Sequence, residues 1–203
     1  MDKISYALGL SMGNNFRASG VDKINIKDFA DGVAAVYGEQ QLQMTYDEAK
    51  AVIRDYFQET ERKNQEAAEA SAKVNEEAGK AYLEENGKRP EVVTLPSGLQ
   101  YEVIEEGKGP KPEAGDQVKV HYTGRLIDGT VFDSSVERGE PATFGVTQVI
   151  PGWVEALQLM PAGSKWRLHI PSDLAYGPHG AGGVIGPNST LIFDVELLEV
   201  LGK

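Results

Sequence analysis

Residues 86–90 read Asn86-Gly87-Lys88-Arg89-Pro90, a glycine that can end a helix followed three residues later by a proline that cannot continue one. The two sides of this stop differ in kind. Of ten prolines only Pro90 precedes residue 93, and of 23 glycines only seven do. Chain breakers gathered on one side mark a change of architecture. The expectation is an α+β protein: an all-helical part at 1–92 with a long connecting helix, then a turn-rich β part at 93–203.

Upstream of the stop, three helices are legible. Around residues 2–17, Ser5, Gly9 and Gly13 recur every fourth position, a small-residue stripe that lets another helix approach closely. Asn25 can cap a second helix whose apolar positions are Ile26, Phe29, Ala30, Val33 and Tyr37, with Gly38 stopping it. Thr45-Tyr46-Asp47-Glu48 is a capping box. With no glycine until Gly79 and no proline until Pro90, the third helix is expected to run about 40 residues, roughly 60 Å. Its start carries an apolar stripe of Ala49, Val52, Ile53, Tyr56 and Phe57. Beyond Phe57 it is mainly Ala, Glu, Lys, Gln and Asn, with Glu59–Lys63, Glu69–Lys73 and Glu76–Lys80 at helix-pair spacing. That stretch reads as a solvated rod. Two short helices and one stripe make a thin core for ninety residues, so residues 1–60 are expected to pair with a second copy as a twofold dimer.

Downstream, Val118, Val120 and Tyr122 alternate with polar neighbours, as do Trp166, Leu168 and Ile170, and then Leu191, Phe193, Val195 and Leu197. Leu99–Val103 adds a strand after the Pro96-Ser97-Gly98 turn. A short helix from Gly152 to Met160 places Trp153, Ala156, Leu157 and Met160 on one side. Strands without βαβ alternation argue for an antiparallel sheet packed on one face by that helix.

Composition narrows the chemistry. A net charge of −11 repels phosphate backbones and anionic surfaces, so neither nucleic acid nor a membrane is an expected partner. With no cysteine, thiolate nucleophiles, disulfides and Cys-ligated zinc are absent together. No window approaches 18 uninterrupted apolar residues. Met1-Asp2-Lys3-Ile4 does not open a signal peptide, which tilts the expected compartment to the cytoplasm; a mature chain whose leader has been removed would instead be periplasmic. Three histidines, His121, His169 and His179, offer no zincin spacing, and His121 and His169 read as sheet residues. The run Gly180–Gly186 lacks the last glycine of a dinucleotide fingerprint, because Ile185 holds that position. Asp133 and Glu137 could form a glycosidase pair, but no elongated aromatic sugar cleft accompanies them. No metal and no cofactor is expected.

What stands out is aromatic residues at turns and strand ends: Tyr122, Phe132, Phe144, Trp153, Tyr176 and Phe193. They belong to five ordered segments: Val120-His121-Tyr122-Thr123-Gly124, Thr130-Val131-Phe132-Asp133-Ser134-Ser135, Val149-Ile150-Pro151-Gly152-Trp153, Ala175-Tyr176-Gly177, and Leu191-Ile192-Phe193-Asp194-Val195-Glu196-Leu197. Together these closely resemble the FKBP-type peptidyl-prolyl cis–trans isomerases over about residues 95–201. The helical part, opening Lys3-Ile4-Ser5-Tyr6-Ala7-Leu8-Gly9, is similar to the dimerisation region of the bacterial macrophage-infectivity-potentiator-like members. The resemblance implies an antiparallel half-barrel wrapped around the short helix, with a proline pocket between them. It makes Trp153 the floor, and Tyr122, Phe132, Phe144, Val149, Ile150 and Phe193 the walls. Tyr176 would bond a substrate carbonyl, and Asp133 would sit at the edge, held by Tyr122 and Arg138. Val184 and Ile185 would close over the ligand. Ala142 and Ala181 depart from the family pattern, which commonly has an aromatic and a histidine there. The implied partners are proline-containing unfolded or flexible chains and macrolide inhibitors. The rival reading is a module that grips proline motifs without turning them over.

Overall fold

Each helix of the N-terminal part starts where a side chain takes up the free amides of a first turn. Asp2 accepts from the Ser5 amide at 2.7 Å and opens α1 (Lys3–Ala18). Asn25 accepts from the Lys27 and Asp28 amides and opens α2 (Ile26–Tyr37), which Gly38 closes. Thr45 and Glu48 cap reciprocally: the Thr45 amide donates to Glu48 Oε2 at 2.7 Å, and the Glu48 amide to Thr45 Oγ1 at 3.2 Å. They open α3 (Tyr46–Asn86), 41 residues long. A computed structural model describes residues 1–38 and 41–202 of the chain; Glu39 and Gln40, inside the expected 1–60 pairing region, and Lys203 lie outside the described residues.

The packing falls into two units, 1–65 and 66–203. In the first, Phe16 and Phe29 meet edge to face at 5.4 Å, and the Tyr56 hydroxyl donates to the Gly20 carbonyl at 3.4 Å. None of its described residues is buried, and Ile4, Leu8, Val36 and Ile53 are each more than half exposed. Every 100 Å² of such surface left in water forgoes about 2.5 kcal/mol.

The second unit is built on an antiparallel sheet in the order β1 (Val92–Thr94), β2 (Gln100–Glu105), β6 (Lys165–Ile170), β7 (Leu191–Gly202), β3 (Gln117–Leu126) and β4 (Val131–Ser134). β5 (Ala142–Gly145) pairs with the first half of β3, whose second half pairs with β4. The short α4 (Ser135–Arg138) follows β4, and α5 (Pro151–Leu159) packs on the sheet. The alternation read from the sequence has its physical counterpart here. Val118, Val120 and Tyr122 from β3, Trp166 and Leu168 from β6, and Phe193, Val195 and Leu197 from β7 form one core with Trp153, Ala156, Leu157 and Met160. Among the described residues no helix is long and apolar enough to cross a membrane.

One expectation fails. The stretch of α3 beyond Phe57 is not solvated throughout, because Asn75, Tyr82 and Asn86 bond to the strands and loops of the sheet. The outward positions of β2 and β6, Gln100, Glu102 and His169, are polar yet buried. Asn86 Nδ2 donates to Gln100 Oε1 at 2.8 Å, and Gln100 Nε2 donates at 2.8 Å to the last-turn Leu83 carbonyl, which also accepts from the Gly87 amide at 2.9 Å. Arg89 holds Glu102 through two bonds of 2.9 Å. His169 bridges Glu102 (Nε2, 2.8 Å) and the Tyr82 hydroxyl (Nδ1, 2.6 Å). Amphipathic periodicity misses this face because hydrogen bonds, not apolar area, cover it.

Burial holds His169 below its ordinary pKa despite the pull of Glu102. The unfolded chain therefore takes up this proton first, and stability falls as pH drops below about 6.5, with a slope of at most about 1.4 kcal/mol per pH unit. Urea midpoints between pH 7.5 and 5.5 should show this fall, and His169→Gln should flatten it; a variant with the wild-type slope would place the proton elsewhere.

Candidate active site

The core face of the sheet opens into a cavity of about 600 Å³. β3 brings Tyr122, β4 Phe132 and Asp133, β5 Phe144, and β7 Phe193. Val149 and Ile150 lead into α5, whose first turn carries Trp153. The loops between β6 and β7 add Tyr176, Val184 and Ile185. Eleven of the twelve binding residues expected from the sequence thus meet at one cavity, and Arg138 reaches it indirectly, through Asp133 and Tyr122. Gln148, Ala181 and Gly182 also line it. Gln148 was not singled out, although its place beside Val149 and Ile150 was the available signal. Ala142 packs against the core but is not part of the cavity wall.

Ring geometry makes the floor rigid. Trp153 lies edge to face with Tyr122 (5.3 Å), Phe144 (5.9 Å) and Phe193 (5.3 Å), and Phe132 meets Phe193 the same way at 5.5 Å. Such pairs contribute about 0.5–1.5 kcal/mol each beyond buried area. The backbone makes room for them at Gly124, where a Cβ would come within 2.6 Å of the Phe132 ring and 2.7 Å of Phe193. The register shift between Gly124 and Arg125 has a further effect. Neighbouring strand residues ordinarily point to opposite faces, and the bulge re-aims the chain so that Phe132 and Asp133 both reach the cavity.

Asp133 is the one carboxylate in the lining. It accepts from the Tyr122 hydroxyl at 2.5 Å and is ion-paired with Arg138, whose other nitrogen donates to the Tyr122 oxygen at 3.0 Å. Burial pushes the Asp133 pKa up, but the bonds from Tyr122 and Arg138 outweigh it and leave the group below the ordinary carboxylate range. Burial, reinforced by Asp133, raises the Tyr122 phenol. Asp133 is therefore an ionised, already-partnered group and a poor proton acceptor, while Tyr122 stays a neutral donor. Tyr176 differs: its side chain is 40% exposed, and among the described residues its hydroxyl has no hydrogen-bond partner. No cluster of His, Cys, Asp or Glu suited to holding a metal occurs among the described residues. The arrangement can enclose an apolar ring, offer one free phenol to a carbonyl, and present one fixed dipole of carboxylate and guanidinium.

Gly124→Ala should lower stability by about 1–3 kcal/mol through overpacking. Urea unfolding measures this, and a loss under 0.5 kcal/mol would mean that the rings yield freely.

Comparison with known proteins identifies the family. Residues 109–198 match the family model described as FKBP-type peptidyl-prolyl cis-trans isomerase, and residues 1–103 match the domain amino terminal to it. The chain is 49% identical over 199 residues to the outer membrane protein MIP of Legionella longbeachae, covering 98% of this chain and 85% of that one. It is 47% identical over 197 residues to the FKBP-type 22 kDa peptidyl-prolyl cis-trans isomerase of Escherichia coli, covering 97% and 94%. The crystal structure of FkpA from Escherichia coli is similar with a TM-score of 0.74 at 39% identity, over 98% of this chain and 96% of that one. This chain belongs to the FKBP-type peptidyl-prolyl cis-trans isomerases.

Proposed function

We propose that the ring-lined cavity is where this isomerase turns X-Pro bonds, with Trp153 as floor and Tyr122, Phe132, Phe144, Val149, Ile150 and Phe193 as walls. Val184 and Ile185 cover the bound ring, Tyr176 donates to a substrate carbonyl, and Asp133, set by Tyr122 and Arg138, faces the rotating amide. The observation that carries this is the meeting of six aromatic side chains and one paired carboxylate around about 600 Å³.

The reaction asks little of reactive groups. Amide resonance sets a barrier of about 18–20 kcal/mol, and the planar amide is strongly dipolar. The twisted transition state has lost that resonance and much of the dipole. An apolar slot desolvates the planar form more than the twisted one, so binding is tighter where it counts. A rate gain of ten thousandfold needs only about 5–6 kcal/mol. Neither Asp133 nor Tyr176 forms a covalent bond.

A coupled isomerisation assay on a short X-Pro peptide tests the reading. Asp133→Ala should lower kcat/KM by about tenfold to a hundredfold, the range of one lost charge-assisted bond, with the fold kept. Wild-type kcat/KM should stay level from pH 8 to pH 5, since the Asp133 proton is taken up only below the ordinary carboxylate range. Proline-peptide or macrolide binding is read from Trp153 fluorescence in a Trp166→Phe background. Binding without acceleration by the wild type would make the protein a proline-binding module instead.

We further propose residues 93–203 as the segment that turns the bond and 1–92 as dimerisation domain and stalk, the stalk's residues 66–86 packing with the isomerase segment. The support for a dimer through residues 1–60 is the exposed apolar surface of α1, α2 and the start of α3, and the open space beside Gly9 and Gly13. Two linked pockets raise the effective concentration of one for different prolines of the same unfolded client. Light scattering on the full chain should give about twice 22.0 kDa, and Leu8→Glu should halve it and slow refolding of a proline-limited protein without changing short-peptide turnover. A wild-type mass of 22.0 kDa would end the dimer proposal. Cytoplasmic residence is also a proposal; recovery from the periplasmic fraction of the native host would replace it.

A further inference from the structure

The lining residues Val184 and Ile185 sit on a segment whose order has to come from somewhere. Within the loop, the Ala181 amide donates to the Ile185 carbonyl at 2.8 Å and the Ile185 amide to the Ala181 carbonyl at 3.0 Å, while the Asn188 amide donates to Gly177 at 2.9 Å. These bonds tie the loop to itself. Its return leg, Gly186–Thr190, is tied to α3. Asn75 Nδ2 donates to the Pro187 carbonyl at 2.8 Å and lies 3.4 Å from Ser189 Oγ. One turn on, Gly79 is buried against Thr190, where a Cβ would come within 2.3 Å of Thr190 Oγ1. Helix and return leg are therefore in contact along residues 75–79, immediately before β7 carries the chain to Phe193.

Asparagine is a poor choice for a helix interior, since its amide competes for backbone bonds and its propensity is well below that of alanine. At position 75 that cost is offset by a donor aimed at the Pro187 carbonyl and within reach of Ser189 Oγ. We propose that Asn75 is a positioning residue of the isomerase: it braces the 186–190 leg from the stalk helix and so holds Ile185 and Val184 over the proline cavity. The proposal rests on the isomerase reading of that cavity. Bracing settles the ordering of the loop before substrate arrives, so it acts on binding and leaves the step at Asp133, Tyr122 and Trp153, carried by other elements, unaltered.

The test is the full chain carrying Asn75→Ala or Asn75→Asp, with Val74→Ala as a control at an exposed neighbouring position of α3. Both Asn75 variants should raise KM for a short X-Pro peptide about fivefold, with kcat within twofold of wild type, and should speed amide exchange at Ala181 and Ile185 by a similar factor. Alanine favours the helix, and aspartate keeps the volume while removing the donor, so at least one variant folds. Val74→Ala should leave KM unchanged. An active wild type whose Asn75 variants keep KM within 1.5-fold overturns the brace, as does an equal rise in Val74→Ala. An inactive wild type would instead overturn the function proposed for the cavity.

Discussion

The pairing of β3 with β7 assigns every other side chain of this unit its environment. Along the two strands the period of two sends Val120, Tyr122, Phe193 and Val195 to one face, and Thr123, Arg125, Asp194 and Glu196 to the other. A slip of one residue would exchange the two sets and destroy both. On the first face the aromatic cavity follows. On the second, Asp194 lies between Arg125 and Arg167, and further along, the polar residues of β2 and β6 meet α3.

The cavity uses its few polar groups as fixed electrostatics. Asp133 is ion-paired with Arg138 and accepts from Tyr122, so in the proposed role it offers a dipole of fixed direction and not a proton path. Around it the surfaces are aromatic and apolar. On the proposed reading such a site suits a bond rotation whose barrier comes from resonance, because the environment acts on charge distribution and no bond is made or broken.

Much of this was legible in the sequence, for identifiable reasons. Capping side chains at Asn25 and Thr45 write helix starts locally, and strict alternation on β3, β6 and β7 writes a half-buried sheet. The aromatic segments named cavity residues because their order and content resemble one family's; Tyr122 lies mid-strand, where no local period marks a pocket. Legibility failed where cover is polar. Asn75 and Tyr82 read as part of a solvated stalk, and Asn86 and Arg89 as a helix stop, yet they bond Pro187, His169, Gln100 and Glu102, partners up to 112 residues away that no local pattern encodes. Gln148 has only its place beside Val149 and Ile150 to mark it, since a lone glutamine in a turn carries no pattern of its own.

Glu102 receives Arg89 and His169 together while almost fully enclosed. Removing Arg89 or His169 takes a partner from the enclosed Glu102 carboxylate, so the three positions are energetically coupled. A chimera that grafts a relative's connecting helix onto this sheet must bring along compatible residues at 82, 86 and 89, or replace 100, 102 and 169 to suit. The seat of the connecting helix's last turns on the sheet is a lock with several tumblers, and a grafted helix must be a key that turns all of them.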